Sequence, residues 1–140
     1  APAIELPKSL LELTDIIIPN ETEAELLTGI SINNESDMKE TATYFLDLGI
    51  SAVLITLGEQ GTYCAYQEQY KMIPACNVKA VDTTAAGDTF IGAFLSELNK
   101  DLSNLESAIR LANQASSLTV QRKGAQASIP TRKEVEAEYN

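Results

Sequence analysis

The most informative segment of the 140-residue sequence is Val81-Asp82-Thr83-Thr84-Ala85-Ala86-Gly87-Asp88-Thr89-Phe90. Its small residues lead directly into a predicted helix, from about Ala86 to Leu98, whose apolar side carries Phe90 and Phe94. Small side chains let the backbone N–H groups at a helix start approach an anion closely, and the helix dipole favours negative charge there. The segment therefore predicts an anion-binding turn.

Asp88 is the unusual member of this segment, because it puts a carboxylate where an anion would bind. One interpretation is that Asp88 stabilises the first helical turn, as acidic residues commonly do. The other interpretation is that Asp88 is a general base, which takes a proton from an attacking hydroxyl beside the anion-binding turn. The segment alone leaves both interpretations open.

Upstream of this segment, aliphatic residues follow the patterns of β-strands. Compact runs predict buried strands at Asp15–Ile18 and Ala52–Leu57. Alternating polar and apolar residues predict two antiparallel strands of a half-exposed sheet at Gly61–Ala65 and Tyr70–Ile73.

Apolar residues at helical spacing predict helices between and after these strands. The helices are expected after Pro7, at Thr22–Thr28 before Gly29, from a Ser36 cap to Gly49, at about Leu105–Val120, and from the capping-box sequence Thr131–Glu134. Alternating strands and helices favour the α/β class, with a layered mixed sheet flanked by helices and a single domain over residues 1–140.

The composition excludes several classes of function. The chain has 10 basic and 20 acidic residues, a formal net charge of −10, which disfavours nucleic acid as a partner. It contains no histidine, which removes Ser-His-Asp and Cys-His nucleophiles and His-ligated zinc. The cysteines, Cys64 and Cys76, predict reduced thiols. No apolar run approaches the roughly 20 residues of a membrane span, so we expect a cytoplasmic protein without a membrane partner.

Two further segments follow the predicted buried strands, where ligands gather in open α/β sheets. In Pro19-Asn20-Glu21-Thr22-Glu23-Ala24-Glu25, carboxylates could orient Mg²⁺ while Asn20 contacts a phosphate or ribose. A solvated acidic first helical turn explains the same residues. In Thr56-Leu57-Gly58-Glu59-Gln60-Gly61, the glycines suit a backbone that passes over a nucleotide, and a hairpin turn has the same composition.

Together and in this order, these segments resemble the ribokinase family of sugar kinases. The matching segments are Pro19–Gly29, Thr56–Gly58 with Gly61, Asp82–Phe90 and Arg122–Gln126, and the last favours the members that act on ribose. The resemblance covers essentially the whole chain. It implies a ribokinase-like, Rossmann-like three-layer fold.

The resemblance implies a catalytic role for the Asp82–Phe90 segment. Asp88 would be the base that deprotonates the 5-hydroxyl of the substrate ribose, which receives the γ-phosphoryl group of ATP. Ala85, Ala86 and Gly87 would form the anion hole. Phosphoryl transfer is mostly positioning and charge neutralisation, so one aligned carboxylate and a row of amides suffice without histidine.

The resemblance also implies sites for ATP with Mg²⁺ and for a monovalent cation, usually K⁺. The residues expected near ATP are Asn20, Glu23, Thr56, Gly58, Gly61 and Asn113, the last beside the adenine. The residues expected to hold K⁺ are Asp82 and Thr84, the backbone carbonyls of Thr119, Arg122 and Gly124, and Ser128. A cation there would order the anion-hole loop without contacting the substrate.

Members of this family are longer chains, with a sugar-binding half and a lid that these residues do not match. The resemblance therefore implies that the chain is the carboxyl-terminal, ATP-binding and catalytic portion of a longer kinase, with an incomplete fold. We expect the full-length protein to be a homodimer and the isolated 140 residues to be inactive. The alternatives are a family kinase for fructose, a nucleoside or a sugar phosphate, and a non-catalytic nucleotide-binding module.

Overall fold

The computed structural model describes residues 3–139. The helices are α1 (Lys8–Leu11), α2 (Glu21–Thr28), α3 (Glu35–Asp47), α4 (Ala86–Glu97), α5 (Leu105–Thr119) and α6 (Arg132–Tyr139). The strands are β1 (Ile16–Ile17), β2 (Ala52–Thr56), β3 (Thr62–Tyr66) and β4 (Gln69–Ile73). Short 3₁₀ helices span Gly58–Gln60 and Gln126–Ser128.

The described residues fall into two compact units. The first contains the residues up to Gly58 together with Thr62–Met72, and the second contains Glu59–Gly61 together with the residues from Ile73 onward. The expectation of a single domain stays a prediction.

The first unit is organised around a mixed sheet with the strand order β1-β2-β3-β4. β1 pairs in parallel with β2, with Ile17 opposite Val53, and β2 pairs antiparallel with β3, with Leu54 opposite Cys64. Phe45 of α3 packs into the same core as Val53, and both side chains are fully buried. The predicted mixed sheet with flanking helices is therefore confirmed.

Two predicted strands differ from the observed ones in burial. β1 is only two residues long and both isoleucines are half-buried, because β1 is the terminal strand in the order of this sheet. β3 was expected to be half-exposed, but Thr62–Ala65 are all buried because β3 lies between β2 and β4. The predicted alternation fails there, since an interior strand can be covered on both faces.

The helix ends follow local side-chain chemistry. Gly29 adopts a left-handed conformation, with φ of 75°, and ends α2 as predicted. The start of α3 was predicted two residues too late: Asn34, not Ser36, is the N-cap residue, and its side chain accepts the Asp37 N–H at 3.1 Å. At α6 the predicted capping box is present, because the Glu134 carboxylate accepts the Thr131 N–H at 2.7 Å.

The second unit is built on the packing of α4 against α5. Phe90 and Phe94 of α4 are buried, and their rings are nearly parallel, with 6.3 Å between the ring centroids. α6 adds Val135, which packs against Ala115 and Leu118 of α5. None of the helices within residues 3–139 has the length and apolar character needed to cross a membrane. Cys64 is buried and Cys76 is half-buried, and their reduced state stays a prediction.

Candidate functional site

The turn that precedes α4 has an unusual backbone. Ala85, the N-cap residue of α4, adopts a left-handed conformation with φ of 61° and ψ of 9°. A residue with a Cβ atom rarely adopts this conformation, and it persists only where the surroundings enforce it. Alanine also has no side-chain acceptor, whereas Asn20 and Asn34 cap the starts of α2 and α3. The first N–H groups of α4 thus lack a side-chain cap.

Asp88 lies in this first turn of α4, and its side chain is exposed. It borders an open cleft of about 300 Å³ within the second unit, which is lined on one side by Gly92 and Ser96 of α4. Arg132 of α6 also lines the cleft, and its guanidinium forms 2.8 Å ion pairs with Glu97 and with Glu136. The Asp88 carboxylate is therefore accessible to a molecule that enters the cleft.

The loop before this turn is fixed by the carboxylate of Asp82. One oxygen accepts the Thr84 N–H at 2.9 Å, and the other accepts the Gly124 N–H at 3.0 Å. The pKa of Asp82 is lowered to about 2, most strongly by the hydrogen bond from Gly124 and less strongly by those from Thr84. In addition, the N–H groups of Val81 and Asp82 both donate to the Val120 carbonyl, at 2.7 and 3.1 Å.

The residues predicted to hold a monovalent cation lie around these two connected loops. Thr119 is fully buried at the end of α5, and its carbonyl accepts the Arg122 N–H at 3.0 Å. Gly124 has φ of 101° and donates to Asp82, as described above. Ser128 is fully buried in the following 3₁₀ helix, where its hydroxyl donates to the Ala125 carbonyl at 2.6 Å. Hydrogen bonds join Asp82, Thr84 and Gly124, and the binding of a cation stays a prediction.

In the first unit, three residues predicted to contact the nucleotide lie together. Asn20 and Glu23 form a reciprocal capping box at the start of α2: the Glu23 carboxylate accepts the Asn20 N–H at 3.0 Å, and Asn20 Oδ1 accepts the Glu23 N–H at 2.9 Å. Asn20 also pairs with Thr56 as a parallel bridge at the end of β2. Asn20 and Thr56 therefore lie side by side, and the carboxylate of Glu23 is already used to cap the helix.

The acidic residues of α2 are the candidates for orienting Mg²⁺. Within residues 3–139, no group of three or more His, Cys, Asp or Glu side chains is placed to hold a metal ion. Glu21 and Glu23 lie in the first turn of α2, which is the geometry of the acidic helical turn that the sequence analysis left open.

The glycine loop and Asn113 have structural roles in the described chain. Gly58 and Gly61 both have positive φ, 56° and 112°. A Cβ atom on Gly61 would lie 2.6 Å from Ala75 N, so the close approach of two backbone segments requires glycine. Asn113 is 6% exposed, and its amide donates to the carbonyls of Ile73 and Pro74, at 3.2 Å each. The predicted contact of Asn113 with adenine stays a prediction.

Two groups that contact the first turn of α4 were not predicted from the sequence. Ser116 Oγ donates to the Ala86 carbonyl at 3.0 Å, and Thr119 Oγ1 donates to Thr89 Oγ1 at 3.1 Å. The only available signal in the sequence was a pair of hydroxyl residues on the α5 surface that faces α4.

The chain as a whole is similar to a known family of enzymes. A family model described as pfkB family carbohydrate kinase matches residues 1–132, so the chain belongs to the pfkB family of carbohydrate kinases.

Within that family, the similar proteins include several that are named ribokinase. The chain is 64% identical over 135 residues to a protein named ribokinase from Staphylococcus aureus. The aligned residues make up 96% of this chain and 44% of that protein. The structure of Arabidopsis thaliana ribokinase complexed with ribose and ATP superposes with a TM-score of 0.88 at 37% identity, over 96% of this chain and 43% of that one.

A structure described as a putative ribokinase II in complex with ATP and Mg²⁺ from E. coli has a TM-score of 0.79 at 30% identity, over 93% of this chain and 40% of that one. The predicted ribokinase-like fold is confirmed. The chain spans somewhat less than half the length of these relatives, and its placement in their carboxyl-terminal portion stays a prediction.

Proposed function

We propose that the chain belongs to a kinase that transfers the γ-phosphoryl group of ATP to the 5-hydroxyl of ribose. The observation that carries this proposal is the exposed Asp88 carboxylate beside the left-handed Ala85 turn at the start of α4. The similarity to proteins named ribokinase, one of them solved with ribose and ATP, supports ribose as the acceptor and ATP as the donor.

Asp88 would act as the general base. Its carboxylate takes the proton of the 5-hydroxyl, the hydroxyl oxygen bonds to the γ-phosphorus, and the bond from that phosphorus to the bridging oxygen breaks to release ADP. The N–H groups of the Ala85–Gly87 turn, together with the positive end of the α4 dipole, stabilise the charge on the transferring group. An uncapped helix start suits this task, because its donors are not already occupied by a side chain.

The nucleotide would lie along the strand ends of the first unit. Asn20 and Glu23 would face the phosphates and their magnesium, while Thr56 and Gly58 would border the nucleotide. Mg²⁺ keeps several waters and commonly binds one or two carboxylates together with substrate phosphates, which suits a chain whose described residues hold no cluster of three acidic ligands. When bound, magnesium neutralises phosphate charge.

A monovalent cation would stabilise the two loops that Asp82 joins. The donors are a carboxylate and backbone carbonyls, and oxygen ligands of this kind suit a hard cation. The residues that would hold the ion are Asp82, Thr84, Thr119, Arg122, Gly124 and Ser128.

The choice of acceptor is tested by sugar-dependent ADP release from the full-length gene product. Ribose, fructose and adenosine are compared at equal concentration in potassium buffer, with a reaction without acceptor to measure background ATP hydrolysis. We expect the highest kcat/KM with ribose. Preferred turnover of fructose or adenosine would reassign the acceptor within the family, and no turnover of any acceptor would contradict the kinase proposal.

A further inference from the structure

Two hydroxyl groups of α5 form hydrogen bonds to the first turn of α4. Ser116 Oγ donates to the Ala86 carbonyl at 3.0 Å, and Thr119 Oγ1 donates to Thr89 Oγ1 at 3.1 Å. We refer to Ser116 and Thr119, with these two bonds, as the hydroxyl clamp.

The two residues of α4 that the clamp contacts lie on either side of Asp88 in the sequence. Ser116 and Thr119 are one helical turn apart on α5, and their partners Ala86 and Thr89 are one turn apart on α4. Residues at this spacing lie on the same face of a helix, so both bonds lie in the interface between α4 and α5. Asp88 lies between the two clamped positions, and the clamp therefore limits both sliding and rotation of the turn that carries it.

The surroundings make these bonds effective. Thr89 is 4% exposed and Thr119 is fully buried, so water does not compete for their hydroxyls. The Thr119 hydroxyl divides its proton between Thr89 Oγ1 at 3.1 Å and the Ala115 carbonyl at 3.2 Å. Ser116 is half-buried beside them. The adjoining Ala85 is held in a left-handed conformation without a side-chain cap, and such a conformation requires support from its neighbours.

We propose that Ser116 is a positioning residue for phosphoryl transfer, which holds the Ala85–Gly87 turn and Asp88 in register with the reacting groups. This inference rests on the proposed kinase function and deepens it. Reacting groups must lie within a fraction of an ångström of the productive geometry, and displacement by about 1 Å can cost about a hundredfold in rate. A hydroxyl that never contacts the substrate therefore affects turnover.

Ser116→Ala in the full-length gene product tests this role, with Ser117→Ala as the matched control. Ser117 is the adjacent residue, and its hydroxyl bonds the Gln114 carbonyl and the Tyr139 hydroxyl, both at 2.8 Å, instead of the α4 turn. We expect Ser116→Ala to lower kcat about tenfold while KM for ATP changes less than about twofold. We expect Ser117→Ala to leave both constants near the wild-type values, and Ser116→Thr, which keeps the hydroxyl, to restore most of kcat.

A second readout does not depend on turnover. ADP with aluminium fluoride and ribose mimics the transferring group, so its affinity reports on the anion-binding turn. Ser116→Ala should weaken this complex about tenfold and leave the affinity for ATP unchanged. Equal kcat and equal analogue affinity in Ser116→Ala and Ser117→Ala would overturn the inference while the kinase function stands. A wild-type protein inert towards every acceptor would overturn both.

Discussion

At the residue scale, two aspartates of one segment have different surroundings. Asp82 accepts two backbone N–H bonds, from Thr84 and Gly124, which lower its pKa to about 2. Asp88 is exposed at the start of α4, beside a cleft. Asp82 therefore has the contacts of a residue that holds loops together, and Asp88 has the accessibility that a base for an incoming hydroxyl requires.

The pKa of Asp82 predicts how its contribution to stability depends on pH. A carboxyl whose pKa is lower in the folded state stabilises the fold fully above its unfolded pKa of about 4, and this contribution is lost as the pH falls towards 2. We expect Asp82→Asn to be less stable than the wild-type full-length protein near neutral pH. The difference in unfolding free energy, measured in urea, should shrink between about pH 4 and pH 2. A difference that stays constant over this range would contradict the assignment.

Gly61 gives a second prediction at this scale. Gly61 and Gly49 both have positive φ, 112° and 95°, but a Cβ atom would clash with backbone atoms of Ile73, Pro74 and Ala75 only at Gly61. Gly49→Ala should cost about 1 kcal/mol of unfolding free energy from its φ alone. Gly61→Ala should cost at least about 2 kcal/mol more, because two backbone segments must separate. Equal losses for the two variants in urea unfolding would show that the close approach is not required.

At the scale of elements, local signals predicted the helices better than the strands. The start of α4 and the end of α2 at Gly29 were predicted because each depends on residues within one turn. The start of α3 was misplaced because Asn34 and Ser36 are both good caps. Asp37 favours the earlier residue, because its N–H donates to Asn34 Oδ1 and its carboxylate accepts the Asn33 N–H. The burial of β3 depends on its neighbours in the sheet, which the alternation of its own residues does not contain.

The residues of the candidate site were also predicted unevenly from the sequence. Asp82, Thr84 and Gly124 were predicted from a resemblance, and the structure joins them by hydrogen bonds although they are distant in sequence. Ser116 was not predicted, because its partner is a backbone carbonyl, which every residue possesses. Asn113 was expected beside the adenine, and this stays a prediction. Its amide donates to the carbonyls of Ile73, at the end of β4, and of Pro74.

The caps of α2 and α3 provide a test at this scale. Asn20 and Asn34 each cap a helix through the side-chain oxygen, at 2.9 and 3.1 Å, so replacement of either by Ala should cost about 1 kcal/mol of unfolding free energy. Because Asn20 also lies at the end of β2 beside Thr56, we expect Asn20→Ala in addition to weaken ATP binding severalfold by calorimetry. If Asn34→Ala weakened ATP binding to the same extent, the loss would reflect general destabilisation and Asn20 would have no separate role.

At the scale of the whole molecule, the chain accounts for less than half of the proteins it resembles. The S. aureus ribokinase is matched over 44% of its length and the A. thaliana ribokinase over 43%. The described residues contain the proposed base, anion-binding turn and cation loops, and we propose that the remainder of the full-length protein supplies further contacts to the sugar. Substitutions in this chain should therefore lower kcat more strongly than they weaken the affinity for ribose.

The central claim, that Asp88 is the base of a ribose kinase, is tested most directly by Asp88→Asn in the full-length gene product. Asp101→Asn, an exposed aspartate in the connection between α4 and α5, is the matched control. We measure kcat by ribose-dependent ADP release and ATP affinity by calorimetry. We predict that Asp88→Asn lowers kcat about a hundredfold to ten-thousandfold with ATP affinity unchanged, and that Asp101→Asn changes neither. Turnover by Asp88→Asn within about tenfold of the wild type would contradict the claim, because general-base catalysis contributes at least about a hundredfold.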